Sequence, residues 1–142
     1  YRMSEANIRI RFNKLVEQFE LGNYLDRKSD ILSGGYRQRF MIARSLMHNP
    51  KIVLLDEPTV GLDPHIRRQI WAKIKELKQD GVTVILTTHY LDEAEHLSNR
   101  VCILDGGLIR LIDTPENLLT DFKKNNLEDV FLELMQTNKD VL

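Results

Sequence analysis

The sequence is poor in cysteine, proline, glycine and aromatic residues, and each shortage excludes something. A single cysteine, Cys102, cannot close an internal disulfide, so no disulfide scaffold holds this fold. It sits inside the apolar run VCIL and is expected to be a buried core thiol. Four prolines and seven glycines in 142 residues exclude a collagen-like repeat and a proline-rich linker. No apolar run approaches the roughly 20 residues that a membrane-spanning helix needs. Neither sign of charge dominates. Twenty Lys+Arg against 21 Asp+Glu leave −1, which gives no bulk electrostatic case for nucleic acid or an anionic membrane. Tyr1-Arg2 opens no signal-peptide pattern, and a soluble, intracellular chain is expected. What is there, 42% hydrophobic and 29% charged residues, is the usage of one globular domain or a piece of a larger one.

Hydrophobic spacing then lays out the elements. From Ser4 to about Glu20, Ile8, Phe12, Leu15, Val16 and Phe19 recur at steps that mark one helical face, with Ser4 as N-cap and Gly22-Asn23 as the stop. Arg2, Arg9, Arg11 and Lys14 fall on the other faces as a solvated surface. A second helix starts at Ser33-Gly34-Gly35, turns Phe40, Ala43, Leu46 and Met47 inward, and stops at Asn49-Pro50. KIVLL, residues 51–55, is apolar on both faces, as a central parallel strand would be. Asp63-Pro64 opens a third helix with a buried face of Ile66, Ile70, Trp71, Ile74 and Leu77, closed by Gly81. VTVILTT, residues 82–88, is a second buried strand, Leu91–Leu97 a short helix, and RVCIL a third strand. Asp105-Gly106-Gly107 turns tightly into LIRLI as an antiparallel edge pair. Thr114-Pro115 caps another helix, and Leu127, Val130, Phe131, Leu134 and Met135 make the last one amphipathic. Strand, helix, strand, helix, strand predicts an α/β layer structure with right-handed crossovers.

Three segments place polar residues where structure alone does not ask for them. Ser33-Gly34-Gly35 opens a helix with bare backbone amides at the positive end of its dipole, an anion site whose usual guest is phosphate. The same residues also read as a plain N-cap with a flexible entry. The strand KIVLL ends in Asp56-Glu57-Pro58, two adjacent carboxylates at the carboxyl end of a parallel strand, where α/β sheets bind ligands. In phosphoryl transfer Asp56 would hold Mg²⁺, directly or through water, and Glu57 would orient and deprotonate the attacking water. A solvated strand end turning at Pro58 is the alternative. Thr87-Thr88-His89 follows the next strand, so His89 stands at the same sheet edge, placed to hydrogen-bond a γ-phosphate. His48, His65 and His96 show no metal-ligand spacing with one another or with Cys102.

Together these segments resemble the nucleotide-binding domain of ATP-binding cassette (ABC) transporters. LSGGYRQR resembles the family's signature sequence, IVLLDE its Walker B strand, PTVGLD its D-loop and His89 its switch histidine. The resemblance implies roles for Ser33, Gly34, Gly35, Gln38 and Asp63 in nucleotide binding, Glu57 and His89 in catalysis, and Asp56 at Mg²⁺. GLIRLIDTPENL resembles the close of transporter cassettes, and LEDVFLELM the C-terminal end of exporter-type subunits that handle drugs, lipids or polysaccharides. The pattern also departs from the family. No glycine is followed by lysine, so the phosphate loop GxxxxGK[ST] is absent, as are matches to the glutamine loop and the adenine-stacking aromatic.

The expectation is therefore the C-terminal part of a cassette, an α/β P-loop NTPase core whose Walker A half is missing. Residues 1–49 would be part of the helical subdomain, 50–113 the core portion, and 114–142 the C-terminal helices. A sheet edge left apolar and exposed would favour self-association. By resemblance, two cassettes pair head to tail around ATP and Mg²⁺. Ser33 and the Gly34 and Gly35 amides would serve the partner's nucleotide, Glu57, Asp56 and His89 their own, and Asp63 the interface between sites. A transmembrane permease, docked on the helical lobe, would hold the subunit at the cytoplasmic face of the cell membrane. No nucleic acid partner is expected, and the chain alone is expected to be inactive as an ATPase. Two other readings remain open: a soluble ABC-type ATPase acting on ribosomes or DNA, and a truncated, non-catalytic half-cassette.

Overall fold

The computed structural model describes residues 3–137, which divide between Thr87 and Thr88 into two compact units. Arg2 and the last five residues of the expected C-terminal segment lie outside the described residues.

The first unit runs α1 (Glu5–Gln18), two single 3₁₀ turns (Gly22–Tyr24 and Ser29–Ile31), α2 (Gly34–Ser45), β1 (Ile52–Asp56), α3 (Pro64–Gln79) and β2 (Thr83–Thr87). Each helix starts where a side-chain oxygen takes an orphan amide. Ser4 accepts from Asn7, Ser33 from Tyr36, and Asp63 from both His65 and Ile66, with Pro64 at the first helical position. Local chemistry thus fixes the starts. Strands β1 and β2 pair in parallel, Ile52 opposite Thr83 and Asp56 opposite Thr87, with α3 as the crossover between them. The core holds Leu15, Phe19, Ile42, Leu46, Val53, Leu55, Ile70, Ile74 and Leu77.

Several expectations about burial change here. Ile8 and Phe12, read as the inner face of α1, are 44% and 42% exposed; only the second half of that face, Leu15 and Phe19, is covered. The glycine stop also comes late, since α1 ends at Gln18 and the chain turns with Glu20 at φ 56°. Arg11 is not a solvated charge: its guanidinium donates twice to the Leu46 carbonyl at the end of α2. On α2 the buried stripe is Gly35, Arg39, Ile42, Ala43 and Leu46, while Phe40 and Met47 are half-buried. Strands β1 and β2 are not buried on both faces. Val53 and Leu55 are covered, but Ile52, Leu54 and Ile85 stand exposed, because among the described residues one face of the pair carries no second layer.

The second unit runs α4 (Leu91–Leu97), β3 (Val101–Asp105), β4 (Leu108–Asp113), α5 (Pro115–Phe122) and α6 (Leu127–Thr137). The α/β class holds, but the third strand differs from expectation. Among the described residues β3 pairs only with β4, in a separate antiparallel sheet closed by Gly106 and Gly107, both at positive φ. A two-residue turn brings β4 to β3 at little loop-closure cost, and Arg110 bonds Asp105 across it. Val101 and Ile103 join Ala94, Leu118, Leu127 and Val130 in this unit's core. Cys102 points the other way and is exposed, which corrects the expected buried thiol: alternation along β3 gives its face to solvent. No helix among the described residues is long and apolar enough to cross a membrane.

Candidate functional site

The first cluster is built at the N-terminus of α2. Ser33 adopts an extended conformation, φ −61° and ψ 157°, and its Oγ accepts from the Tyr36 amide at 3.5 Å. Helix geometry leaves the first-turn amides of Gly34 and Gly35 without an intrahelical acceptor. Ser33 and Gly34 are exposed and place no bulky side chain over the turn, whereas Gly35 is buried. A Cβ on Gly34 would stand 3.1 Å from Leu62 Cδ2, and one on Gly35 only 2.5 Å from Ile66 Cγ2. The turn therefore rests on the start of α3, where the Asp63 Oδ1 accepts the Ile66 amide at 3.0 Å. Gln38 is half-buried one turn further along.

This turn has a polar foundation that spacing alone did not single out. Arg39, 5% exposed, donates from Nη1 to the Phe19 carbonyl at 3.3 Å and to Glu20 Oε2 at 2.8 Å. From Nη2 it donates to Gln69 Oε1 at 2.7 Å, so one guanidinium ties the end of α1 to α2 and α3. It also lies 5.2 Å from the Tyr36 ring centroid, and Tyr36 packs on Tyr24 at 3.8 Å. The Arg39 hydrogen bond and charge, with Lys73 adding to the field, hold the Glu20 carboxyl below its ordinary pKa. The signal was available: positions 35, 39, 42 and 46 form one helical stripe, and an arginine in such a stripe asks for a carboxylate.

The second cluster is the carboxyl end of the β1–β2 pair. The Thr87 hydroxyl donates to Asp56 Oδ1 across the register, and the Glu57 amide donates to the Thr87 carbonyl at 3.0 Å. Glu57 is held at φ 44°, a conformation that costs a bulky residue about 1 kcal/mol or more. Val60 and Leu62 close successive turns onto the Glu57 and Thr59 carbonyls, and Pro58 and Thr59 are buried beneath them. Both carboxylates remain exposed at the strand end. Oxygen donors from one or two carboxylates suit a hydrated Mg²⁺ carried by phosphates rather than a closed protein cage. No group of three or more metal-ligating side chains occurs among the described residues. Thr87, which the sequence places in the Thr87-Thr88-His89 segment without a role of its own, is the residue that ties the two carboxylate positions together.

Ser33, Gly34, Gly35, Asp56, Glu57 and Asp63 all belong to the first unit, and its packing brings the Ser33–Gly35 turn onto Leu62 and Ile66 of the Asp63 segment. Asp63 is exposed, with Oδ1 engaged as the α3 cap. His89 belongs to the second unit, where it is exposed and packs on the Tyr90 ring at 4.2 Å.

Comparison with known proteins points one way. The family model described as ABC transporter matches residues 2–60. The Nod factor export ATP-binding protein I of Cupriavidus metallidurans is 36% identical over 142 residues, all of this chain and 47% of that protein. The solved structure of an ATP binding subunit of an ABC transporter superposes with a TM-score of 0.79 at 28% identity, covering 95% of this chain and 57% of that one. The cbiO1 protein of Clostridium perfringens, part of the ABC transporter complex cbiONQ, gives a TM-score of 0.76 at 29% identity over 84% of this chain and 48% of its own. This chain spans between 32% and 47% of the length of such curated relatives.

Proposed function

Because the chain belongs to the ABC transporter ATP-binding family, we propose that it carries the signature turn and the hydrolytic carboxylate of an ATPase subunit that powers export. The export direction follows the name of its curated relatives. Bound Mg-ATP supplies the electrophilic γ-phosphoryl group and the metal charge that offsets its oxygens.

The chain's own residues would do the rest. Glu57 takes a proton from the attacking water and orients it, at the position where the Thr87 carbonyl fixes its backbone. Asp56, steadied by the Thr87 hydroxyl, holds the water shell of Mg²⁺. His89 donates to the transferring phosphoryl oxygens. The Ser33 hydroxyl and the Gly34 and Gly35 amides bind the terminal phosphate of a nucleotide held by a second cassette, paired head to tail, with Gln38 on the same helix supporting that contact. Asp63 reports between the two sites. The helical residues 1–49 dock a transmembrane permease, residues 50–113 form the core portion and 114–142 the C-terminal helices, which places the assembly at the cytoplasmic face of the membrane. The 142 residues contain no GxxxxGK[ST] loop, so this chain by itself would not turn over ATP.

The observation that carries the reading is the Asp56–Glu57 pair at the end of β1, both residues tied to Thr87. In the intact protein, Glu57→Gln is expected to lower Mg-ATP turnover about a thousandfold while ATP binding persists. Turnover at the unsubstituted rate would sink the assignment.

A further inference from the structure

The two glycines of the signature turn look equivalent in sequence and are not equivalent in space. Gly34 is exposed, and its one close neighbour is the free end of the Leu62 side chain. Gly35 is buried, and the space its Cβ would fill is already occupied by the branch methyl of Ile66, at 2.5 Å. No real Cβ sits at such a distance, so a side chain at position 35 requires Ile66 or the backbone around it to shift. Ile66 cannot withdraw easily. It lies in the first turn of α3, its amide is bonded to Asp63 Oδ1, and its β-branched side chain has one strongly preferred rotamer in a helix.

We propose that Gly35 is a positioning residue: it is glycine so that Ile66 can seat against the α2 backbone and set where Ser33 and the first-turn amides point. The inference rests on the proposed role of that turn in binding phosphate. It adds that the second glycine is required by a contact within the chain, not by the room the nucleotide needs. It also gives the signature turn a mechanical footing on the segment Leu62–Ile66, which is continuous in sequence with Glu57.

The geometry supplies its own suppressor. Removing the Ile66 branch methyl leaves Ile66 Cβ as the nearest atom, 3.7 Å from an added Cβ, which is ordinary contact. The test is Mg-ATP turnover and ATP affinity of the intact protein in four forms beside the unsubstituted one: Gly35→Ala, Ile66→Ala, Gly35→Ala/Ile66→Ala and Gly35→Ala/Ile66→Val. Gly35→Ala keeps its amide but displaces the turn, and kcat is expected to fall about a hundredfold with little change in KM. Gly35→Ala/Ile66→Ala is expected to return to within about threefold of Ile66→Ala. Gly35→Ala/Ile66→Val, which retains the offending methyl, stays low. Should Gly35→Ala not fold, the comparison of Gly35→Ala/Ile66→Ala with Ile66→Ala alone decides the matter. A further hundredfold loss in that pair overturns the inference, since the nucleotide and not Ile66 would then be what excludes a side chain. Full activity of Gly35→Ala overturns it equally. Failure of the underlying functional reading looks different: the unsubstituted protein itself then shows no turnover that Glu57→Gln removes.

Discussion

The N-terminus of α2 and the carboxyl end of β1 do their work in opposite ways. At the Ser33–Gly35 turn the groups proposed to act are backbone amides, and residues 33–35 carry a hydroxyl and two hydrogens where side chains would stand. The support comes from below, from Ile66, Leu62 and the buried Arg39 network. At the strand end the useful groups are side chains, two exposed carboxylates. There the support comes from the backbone and hydroxyl of Thr87 on the neighbouring strand. One region positions its donors by packing and the other by a hydrogen-bonded sheet register. The first should therefore be sensitive to volume and the second to backbone conformation.

That contrast can be broken at either end. The largest stability effect is expected at Arg39, since Arg39→Met strands the Phe19 carbonyl and Gln69 and removes three hydrogen bonds from a buried charge. A loss of about 2–3 kcal/mol in denaturant unfolding is expected, and less than 0.5 would mean the network carries no weight. At the strand end the sign reverses. Glu57→Gly relieves the positive φ and is expected to stabilise the protein by up to about 1 kcal/mol while abolishing turnover. A destabilised Glu57→Gly protein would show that the side chain, not the backbone, sets the conformation. The smallest effect is acid sensitivity at Glu20, whose carboxyl is 61% exposed. Its pKa is depressed in the folded state, chiefly by the Arg39 hydrogen bond. Its contribution is therefore present above the ordinary value of 4.5 and is lost as pH falls below it. Glu20→Gln should flatten the unfolding curve in that window; an unchanged slope would remove Glu20 from the account.

Local chemistry was legible from sequence because it needs no distant partner. Ser4, Ser33, Asp63-Pro64 and Thr114-Pro115 start helices where a capping oxygen and a preset φ demand it, and Gly106-Gly107 turns where positive φ is needed. The place of Asp56 and Glu57 at an exposed strand end was legible for a similar reason, since an apolar run closed by two carboxylates marks where the strand leaves the core. What was not legible depends on layers far away in the chain. KIVLL has the composition of a strand covered on both faces, yet Leu54 is 75% exposed, because hydropathy states what a face can bury against and not what lies there. Cys102 and Ile103 are equally apolar in context, and only the β3–β4 register says which of them faces the core. Arg39 was hidden by its charge, and the different surroundings of Gly34 and Gly35 by their identity.

The division of labour between the two regions is tested most directly by the light-scattering mass of the intact protein carrying Glu57→Gln, with and without Mg-ATP. The mass is expected to double on adding Mg-ATP, because the nucleotide is trapped and not hydrolysed. Adding Ser33→Arg to the same protein should keep the mass at that of one subunit while ATP still binds, if the Ser33–Gly35 turn serves a partner's nucleotide as proposed. Doubling that survives Ser33→Arg, or ATP binding that disappears with it, would contradict the account.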